Sequence, residues 1–222
     1  MNIEERIIKG NGWDIPGILI QPSDPLGAAV IVHGYGGCKE EQLGLAWRVA
    51  KMGIAVLTID LRGHGEHKLS LDENVVLDVE AAVNYMKNFG KVAAIGHSLG
   101  GRLCLLSSAD YKIGLSPALN KDFSDKTRDT INFLRGYRVR EAYPDANFDI
   151  LRKLPVLESS EDGNVQIIYG SRDVPEIISG CNDLLSKGVP VVQIDKAFHS
   201  DIFLLEETFE AVVGALGKWF NK

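Results

Sequence analysis

The sequence predicts an α/β fold, in which a mostly parallel β-sheet is covered by helices on both faces. Three observations favour this fold. Short apolar runs rich in β-branched residues alternate with longer amphipathic segments along most of the chain. Several of these short runs are continuous, which is typical of strands buried on both faces. Glycine supplies 23 of the 222 residues and often separates the two kinds of segment, where the chain has to turn tightly.

The N-terminal stretch, 3–20, does not follow this alternation. It contains apolar runs separated by two turn signals, Gly-Asn-Gly at 10–12 and Pro-Gly at 16–17. We therefore predict a β-hairpin at the edge of the sheet.

The remaining elements are predicted from residue 28 onward by the period of their apolar residues. Continuous apolar runs predict strands over 28–33, 54–60, 91–97, 111–116, 165–169 and 189–194. Helical spacing predicts helices over 40–52, 71–89, 99–109, 175–187 and 201–219. Ser70 and Glu73 have the spacing of a capping box, which predicts that the second helix begins at residue 71.

The alternation stops in the segment 117–164 and resumes with the strand at 165. We interpret this segment as a short helical cap insertion within a single domain, 1–222, because the strand–helix rhythm resumes after it. It predicts two or three short helices and contains five aromatic residues: Phe123, Phe133, Tyr137, Tyr143 and Phe148. Because exposing all five of these apolar side chains to water is unfavourable, some of them should pack near the functional site and narrow it.

Composition and charge narrow the classes of function. Hydrophobic residues make up 45% and charged residues 24%, an ordinary balance for a soluble globular protein. The net charge of −6 disfavours nucleic acid as a partner, and no apolar run approaches the ~18 residues of a membrane span. We expect a cytoplasmic protein unless a leader has been removed, because the N-terminus lacks a secretory pattern. Cys38, Cys104 and Cys181 are expected to be free thiols.

The strongest functional signal is Gly-His-Ser-Leu-Gly at 96–100. It lies between a predicted strand and a predicted helix, as a G-x-S-x-G nucleophile elbow requires. The two glycines leave room for a sharp, strained turn that lifts the Ser98 hydroxyl clear of the sheet. The turn also leaves the Leu99 N–H free at the start of a helix, where the helix dipole is positive.

A second signal is His-Gly-Tyr-Gly-Gly at 33–37, directly after a predicted strand. A glycine-rich loop can turn backbone N–H groups toward one point, and an oxyanion that develops at a carbonyl needs two such donors. We predict that the Tyr35 and Leu99 N–H groups are these donors. Taken alone, the loop is equally consistent with a plain glycine-rich turn. It is not a Walker A motif, because no Gly-Lys-Ser/Thr follows it.

A serine nucleophile needs a base at neutral pH. Of the five histidines we favour His199, which lies between the last predicted strand and the last predicted helix. That loop is at the carboxyl edge of the sheet, where ligands of such folds bind. His33 and His97 belong to the two loops above and are interpreted as structural. His64 and His67 form an HxxH pair, but no third ligand is evident, so we expect no metal.

The base in turn needs an acid that orients it. Asp173 follows an apolar run and a glycine turn, so it also lies at the carboxyl edge of the sheet. Asp195, at the end of a later strand, is a rival, and Asp122 and Asp125 are weaker rivals. The alternative role for Asp173 is to cap the helix that follows it. We favour the orienting role, because the serine, the acid and the base are then all at one edge of the sheet.

Together these motifs resemble the α/β-hydrolase superfamily, and within it the compact serine esterases and acylaminopeptidase-like hydrolases. The resemblance covers nearly the whole chain, in the family's order, through HGYGG at 33–37, DLRGHG at 60–65, GHSLG at 96–100, GSRD at 170–173 and the late His199. It implies five functional residues: Ser98 as nucleophile, Asp173 as acid, His199 as base, and Tyr35 and Leu99 as oxyanion donors. The segment 117–164 corresponds to the family's variable cap.

From these residues we predict a serine hydrolase, which cleaves a carboxylic ester of small to medium acyl size through an acyl-enzyme. The same residues suit a thioesterase, an amidase or a peptidase, because the chemistry at the carbonyl is shared. A non-catalytic binding protein of the same fold is the other class. We expect no cofactor, and the sequence leaves the oligomeric state open. The cap arginines Arg135, Arg138 and Arg140 either hold an acidic substrate group or, as we favour, lie on a solvated surface.

Overall fold

A mixed β-sheet of eight strands forms the centre of the molecule in the computed structural model, which describes residues 1–157 and 163–220. The strands are β1 (Asn2–Lys9), β2 (Asp14–Gln21), β3 (Ala28–Val32), β4 (Ala55–Ile59), β5 (Val92–His97), β6 (Tyr111–Leu115), β7 (Val165–Gly170) and β8 (Val191–Ile194). They lie in the order β1-β2-β4-β3-β5-β6-β7-β8. Strands β3 to β8 are parallel to one another, so the predicted sheet is confirmed.

The N-terminal hairpin lies at the edge of the sheet, as predicted. β1 and β2 pair antiparallel along their whole length, and β2 joins the parallel strands through β4. The chain turns where the Gly10 N–H donates to the Trp13 carbonyl at 2.8 Å. The second predicted turn, at 16–17, is wrong, because β2 runs straight through it. Gly17 serves close packing instead, since a Cβ there would lie 2.8 Å from the Thr58 carbonyl oxygen of β4.

The order of the strands reverses at β3. β4 lies on one side of β3, and β5 lies on the other side. After β3 and β5 the chain goes on to helices on opposite faces of the sheet, and the crevice at the carboxyl ends of these strands is where ligands of open α/β sheets bind. These loops carry the motifs at 33–37 and 96–100. The topology thus brings the two strongest functional signals of the sequence together.

Helices cover both faces of the sheet. The described helices outside the insertion are α1 (Leu43–Ala50), α2 (Val75–Met86), α3 (Ser98–Leu106), α6 (Pro175–Ser186) and α7 (Glu206–Phe220). α1 and α7 contribute to the core on one face, and α2, α3 and α6 contribute to the core on the other. All residues of β3 and β4 are buried between these layers, as their continuous apolar runs predict. Among the described residues, no helix has both the length and the apolar character needed to cross a membrane.

The predicted start of the second helix is wrong. α2 begins at residue 75 without a side-chain capping bond, so Ser70 and Glu73 do not form the predicted capping box. Leu71 instead pairs with the insertion: its N–H donates to the Arg140 carbonyl at 2.7 Å, and its carbonyl accepts from the Ala142 N–H at 3.0 Å. Because these backbone groups are used by a distant segment, the helix cannot include residue 71.

The segment between β6 and β7 contains two described helices, α4 (Asp125–Arg135) and α5 (Ala146–Lys153). A buried arginine of α3 ties this segment to the core. The Arg102 guanidinium donates to the carbonyls of Leu119 at 2.6 Å and Leu154 at 3.2 Å. The two ends of the described insertion are therefore fastened beside α3, the helix that follows the elbow. Residues 158–162 lie outside the described residues.

Candidate active site

Ser98 lies on a sharp turn between β5 and α3, at the crevice beside β3. Its backbone has a φ of 53°, a left-handed conformation that is strained for any residue except glycine. The surrounding glycines permit this turn. A Cβ on Gly96 would lie 2.7 Å from the Gly101 nitrogen, and a Cβ on Gly100 would lie 2.7 Å from the Val32 carbonyl oxygen. The turn therefore has the geometry that the G-x-S-x-G motif predicts.

His199 and Asp173 lie next to Ser98 in one chain of hydrogen bonds. His199 Nδ1 is 2.8 Å from Asp173 Oδ1, and His199 Nε2 is 3.0 Å from Ser98 Oγ. A carboxylate can only accept a hydrogen bond, so Nδ1 carries the proton and donates to Asp173. Nε2 is then the acceptor for the Ser98 hydroxyl. The imidazole is thereby oriented to take a proton from the serine.

The carboxylate of Asp173 is fully buried in the loop after β7. Its Oδ1 also accepts from the Val174 N–H at 2.8 Å, and its Oδ2 accepts from the Ser116 hydroxyl. Ser116 is itself fully buried, directly after β6, and has a φ of 44°. It therefore helps to hold the carboxylate that faces His199. The sequence analysis did not select Ser116. The signal that could have found it is its position directly after β6, the strand beside β7.

The rival acids lie outside this chain of hydrogen bonds. Asp195 is exposed, with Lys196 Nζ 3.6 Å from its carboxylate. Asp122 pairs with Arg152 at 3.1 Å on the surface, and Asp125 is the first residue of α4. Among the described contacts, none of these three carboxylates meets the histidine.

The loop after β3 lies against the elbow. A Cβ on Gly34 would lie 2.7 Å from His97 Nδ1 and 3.1 Å from Ser98 Cβ, so glycine is needed for the two loops to approach this closely. The Tyr35 N–H makes no hydrogen bond within the described residues. The Leu99 N–H belongs to the first turn of α3, where N–H groups have no partner inside the helix. Both predicted donors are thus unengaged at the crevice.

Three further histidines are buried around the site and are held neutral. Burial lowers the pKa of His33 to about 4 and that of His64 to about 3, and it holds the pKa of His97 well below its usual value. Neutral His97 donates from Nε2 to the His199 carbonyl at 2.9 Å, and the two rings lie 4.9 Å apart. His33 Nε2 accepts from the Leu61 N–H at 3.2 Å. These contacts agree with the structural interpretation of His33 and His97.

A cavity of about 400 Å³ opens beside Ser98. Its apolar wall comes from the insertion and from α6, through Phe123, Ile131, Leu134, Phe148, Leu151 and Ile177. Two of the five cap aromatics therefore line the cavity, with the rings of Phe123 and Phe148 6.0 Å apart. Phe133 and Tyr137, in contrast, are both 83% exposed. The expectation that some of the aromatic residues narrow the site therefore holds for Phe123 and Phe148.

The cap arginines bridge the insertion to the loops after β3 and β4. Arg138 donates to Glu41 Oε1 at 2.8 Å, and Arg135, which lines the cavity, lies 4.0 Å from the same oxygen. Arg140 donates to the backbone carbonyl of His67. Their partners are therefore on other elements rather than nearby in the sequence.

Within the ranges 1–157 and 163–220, no group of three or more His, Cys, Asp or Glu side chains is arranged to hold a metal ion. The HxxH pair is used in other ways. His64 Nδ1 lies 3.0 Å from the Arg62 carbonyl oxygen, and His67 Nε2 lies 3.8 Å from Asp78 Oδ1. The three cysteines are free, as expected.

Residues 29–177, about two thirds of the chain, match the sequence model of the Alpha/beta hydrolase family. The chain belongs to the α/β-hydrolase family. The family resemblance inferred from the motifs is therefore confirmed. The match includes the loop after β3, the elbow serine and Asp173, and it ends before His199.

Solved structures of other α/β hydrolases have the same fold. An esterase from Pyrobaculum calidifontis superposes with a TM-score of 0.71 at 24% identity, over 97% of this chain and 84% of that chain. Est1E from Butyrivibrio proteoclasticus superposes with a TM-score of 0.69 at 18% identity, over 98% of this chain and 99% of that chain. At these identities the similarity establishes the fold alone.

Two curated relatives are more similar in sequence. A Haemophilus influenzae protein that carries the name esterase/lipase is 30% identical over 156 residues, 65% of this chain and 52% of that protein. Ethanol acetyltransferase 1 of Wickerhamomyces anomalus is 35% identical over 98 residues, 41% of this chain and 24% of that protein. The chain thus spans about half the length, or less, of these relatives.

Proposed function

We propose that this α/β hydrolase is a serine esterase that cleaves carboxylic esters of small to medium acyl size. One observation carries the proposal: Ser98, His199 and Asp173 form a hydrogen-bonded chain beside an apolar cavity. The esterase names of a curated relative and of a structural neighbour are a second, weaker support.

The reaction begins when Ser98 Oγ attacks the carbonyl carbon of the ester. His199 Nε2 takes the hydroxyl proton, and Asp173 stabilises the imidazolium that forms. The carbonyl oxygen becomes negative, and the N–H groups of Tyr35 and Leu99 stabilise this charge. When the tetrahedral intermediate collapses, His199 gives its proton to the departing alcohol. The acyl group then remains on the serine as an ester.

Water then hydrolyses this acyl-enzyme, and the same catalytic groups assist the reaction. His199 takes a proton from a water molecule, whose oxygen attacks the acyl carbonyl carbon. The same two N–H groups stabilise the second oxyanion, and each donor of this kind is typically worth about 10²–10³ in kcat. Collapse releases the carboxylic acid, and the proton returns from His199 to Ser98. One ester and one water molecule are consumed, and every group of the chain is regenerated.

The cavity supports an acyl group of small to medium size. Its volume of about 400 Å³ is in the lower part of the ~300–1,000 Å³ range of ligand pockets. Each methylene group that the apolar wall accepts adds up to ~0.8 kcal/mol of favourable burial. We therefore expect kcat/KM to rise with acyl length until the chain meets the ring pair of Phe123 and Phe148.

One observation favours an alcohol as an acyl acceptor besides water. The chain is 35% identical to an ethanol acetyltransferase over 98 residues. An alcohol can attack the same acyl-enzyme in place of water, which gives a new ester instead of an acid. The two outcomes share every residue of the first half-reaction. They differ in the product that forms when an alcohol is present.

A series of p-nitrophenyl esters from acetate to palmitate tests the proposal. We expect the highest kcat/KM with a short or medium acyl group and poor use of palmitate. A maximum at the long-chain end contradicts the proposed size, and no hydrolysis at any length contradicts the esterase activity. The matched ester, thioester and amide of the best acyl group then rank the three bond types. Repeating the reaction with ethanol and assaying the ethyl ester distinguishes hydrolysis from acyl transfer.

A further inference from the structure

Two arginines line the cavity beside Ser98, and neither guanidinium group donates a hydrogen bond to any described residue. They are Arg135, at the end of α4, and Arg172, in the loop after β7. The chain has ten arginines, and the other eight all donate to a carboxylate or to a backbone carbonyl: Arg6, Arg48, Arg62, Arg102, Arg128, Arg138, Arg140 and Arg152. Within the described residues, none of these eight lines the cavity. The arginines without a bonded acceptor are thus the ones at the candidate active site.

Arg135 lies against the loop after β3. Its side chain is 31% exposed, and a Cβ at Gly36 of that loop would lie 2.7 Å from Arg135 Cβ. The carboxylate of Glu41 is 4.0 Å from Arg135 Nη1, which is too far for a hydrogen bond. Glu41 accepts from Arg138 at 2.8 Å instead. Glu41 therefore serves Arg138, and the donors of Arg135 have no acceptor in the described part of the chain.

Arg172 belongs to the loop that carries Asp173. Its guanidinium carbon lies 5.6 Å from the centre of the Phe198 ring, and Phe198 also lines the cavity, directly before His199. Arg172 is exposed, so a ligand at the mouth of the cavity can reach it. The carboxylates close to it in these two loops have other partners. Asp173 faces His199, and Asp201 accepts from the Phe198 N–H at 2.7 Å.

The two arginines leave an excess of positive charge at the cavity, although the net charge of the chain is −6. The two carboxylates that line the cavity, Glu41 and Asp173, are already engaged by the contacts above. Exposure alone does not explain an arginine without an acceptor. The Arg152 side chain is 49% exposed, yet it pairs with Asp122 and Asp149. Because a guanidinium presents a planar fork of N–H donors, the ligand that fits is a carboxylate or a phosphate group.

We propose that Arg135 and Arg172 bind a carboxylate or phosphate group on the alcohol part of the substrate, so that the preferred substrates are anionic esters. This inference rests on the esterase activity proposed above. The apolar wall of the cavity takes the acyl chain in that proposal, and a charged group buried there would lose its solvation without a partner. The alcohol part leaves with a proton from His199, and Arg172 packs against the residue before this histidine. The reaction then releases an anionic alcohol.

The expected preference is modest, because both guanidinium groups are accessible to water, which weakens their attraction for an anion. The quantity to measure is the ratio of kcat/KM for an anionic ester to kcat/KM for its neutral counterpart. Arg135→Gln and Arg172→Gln should each lower this ratio by about 5-fold. The leaving groups are the same for every variant, so a change in the ratio reports the arginine. Added salt should also lower the wild-type ratio, because ions screen the attraction.

Matched esters test this inference. The anionic esters are 4-(butanoyloxy)benzoate and 4-(butanoyloxy)phenyl phosphate, and the neutral counterpart is 4-(butanoyloxy)benzamide. A second pair, p-nitrophenyl hemiglutarate and p-nitrophenyl hexanoate, carries the carboxylate on the acyl part instead. Arg152→Gln is the matched control, because it removes the same charge from α5 at a position that does not line the cavity. The control should keep the wild-type ratio.

A ratio that is the same in the wild-type protein and in both cavity variants overturns the inference. An equal decrease in Arg152→Gln also overturns it, because the effect then comes from the overall charge. A decrease confined to the acyl-side pair contradicts the assignment to the alcohol part. Inhibition by the product 4-hydroxybenzoate is an independent readout of binding, and it should weaken by about 5-fold in both cavity variants. Hydrolysis without any preference for charge overturns this inference alone, whereas no hydrolysis of any ester overturns the proposed esterase activity.

Discussion

Three buried histidines make this fold sensitive to acid. His33, His64 and His97 are held neutral by burial, with pKa values of about 4, about 3 and well below the usual value. In the unfolded chain each has a pKa near ~6.5. As the pH falls below that value, the unfolded chain binds protons that the folded protein does not bind. The free energy of unfolding therefore decreases with decreasing pH.

The size of this effect follows from the pKa shifts. A histidine that stays neutral in the fold lowers the free energy of unfolding by about 2 kcal/mol between pH 7 and pH 5. Three such residues lower it by about 6 kcal/mol, against the ~5–15 kcal/mol that is typical of a folded domain. Burial opposes ionisation of Glu40 and Asp78, but hydrogen bonds and nearby cations outweigh it and lower the pKa of both carboxyl groups, so they act in the same direction only at more acidic pH.

Urea unfolding at constant ionic strength, at pH 7, 6 and 5, measures this loss. We expect more than half of it between pH 6 and pH 5, where all three histidines are protonated in the unfolded chain. His64→Phe is the diagnostic variant, because His64 Nε2 has no partner among the described residues and a phenyl ring does not titrate. It should reduce the loss by about one third. A free energy of unfolding that stays within about 1 kcal/mol from pH 7 to pH 5 would refute this reasoning.

Two further predictions concern the groups that orient His199, each measured by steady-state hydrolysis of p-nitrophenyl acetate. Asp173→Asn should lower kcat by about 10³–10⁴, because the imidazole loses its correct tautomer. Asp195→Asn is the control, and an equal loss in that variant would move the acid to Asp195. Ser116→Ala should lower kcat by about 10-fold with little change in KM, because Asp173 Oδ2 loses its donor. A partial recovery of kcat in Ser116→Thr would support this role. An unchanged kcat in Ser116→Ala would show that Ser116 contributes only to packing.

Local sequence was sufficient to predict the elements whose causes are local. The elbow depends on glycines two residues either side of Ser98, and the buried strands depend on continuous apolar runs, so both were predicted correctly. The start of α2 was predicted wrongly because Leu71 pairs with Arg140 and Ala142, far away along the chain. A capping box records only local preference. A long-range backbone pairing overrode that preference here.

The same distinction applies to the site. His199 and Asp173 could be selected because each follows a predicted strand, and the carboxyl ends of parallel strands lie at one edge of the sheet. Ser116 was missed, because its contact with Asp173 depends on β6 and β7 being neighbours, which the sequence does not state. The wall of the cavity was missed for a related reason, because nothing in the local pattern reveals that the loop after β3 and α5 line one cavity.

The most direct test of the central claim is covalent labelling with a fluorophosphonate, which reacts with an activated serine. We expect one adduct per chain, mapped to Ser98 by peptide mass spectrometry, and a matching loss of ester hydrolysis. Ser98→Ala should not react, should keep the wild-type circular dichroism spectrum, and should lose about 10⁶ in kcat. An adduct on another residue, or near wild-type hydrolysis by the folded Ser98→Ala protein, would contradict the account.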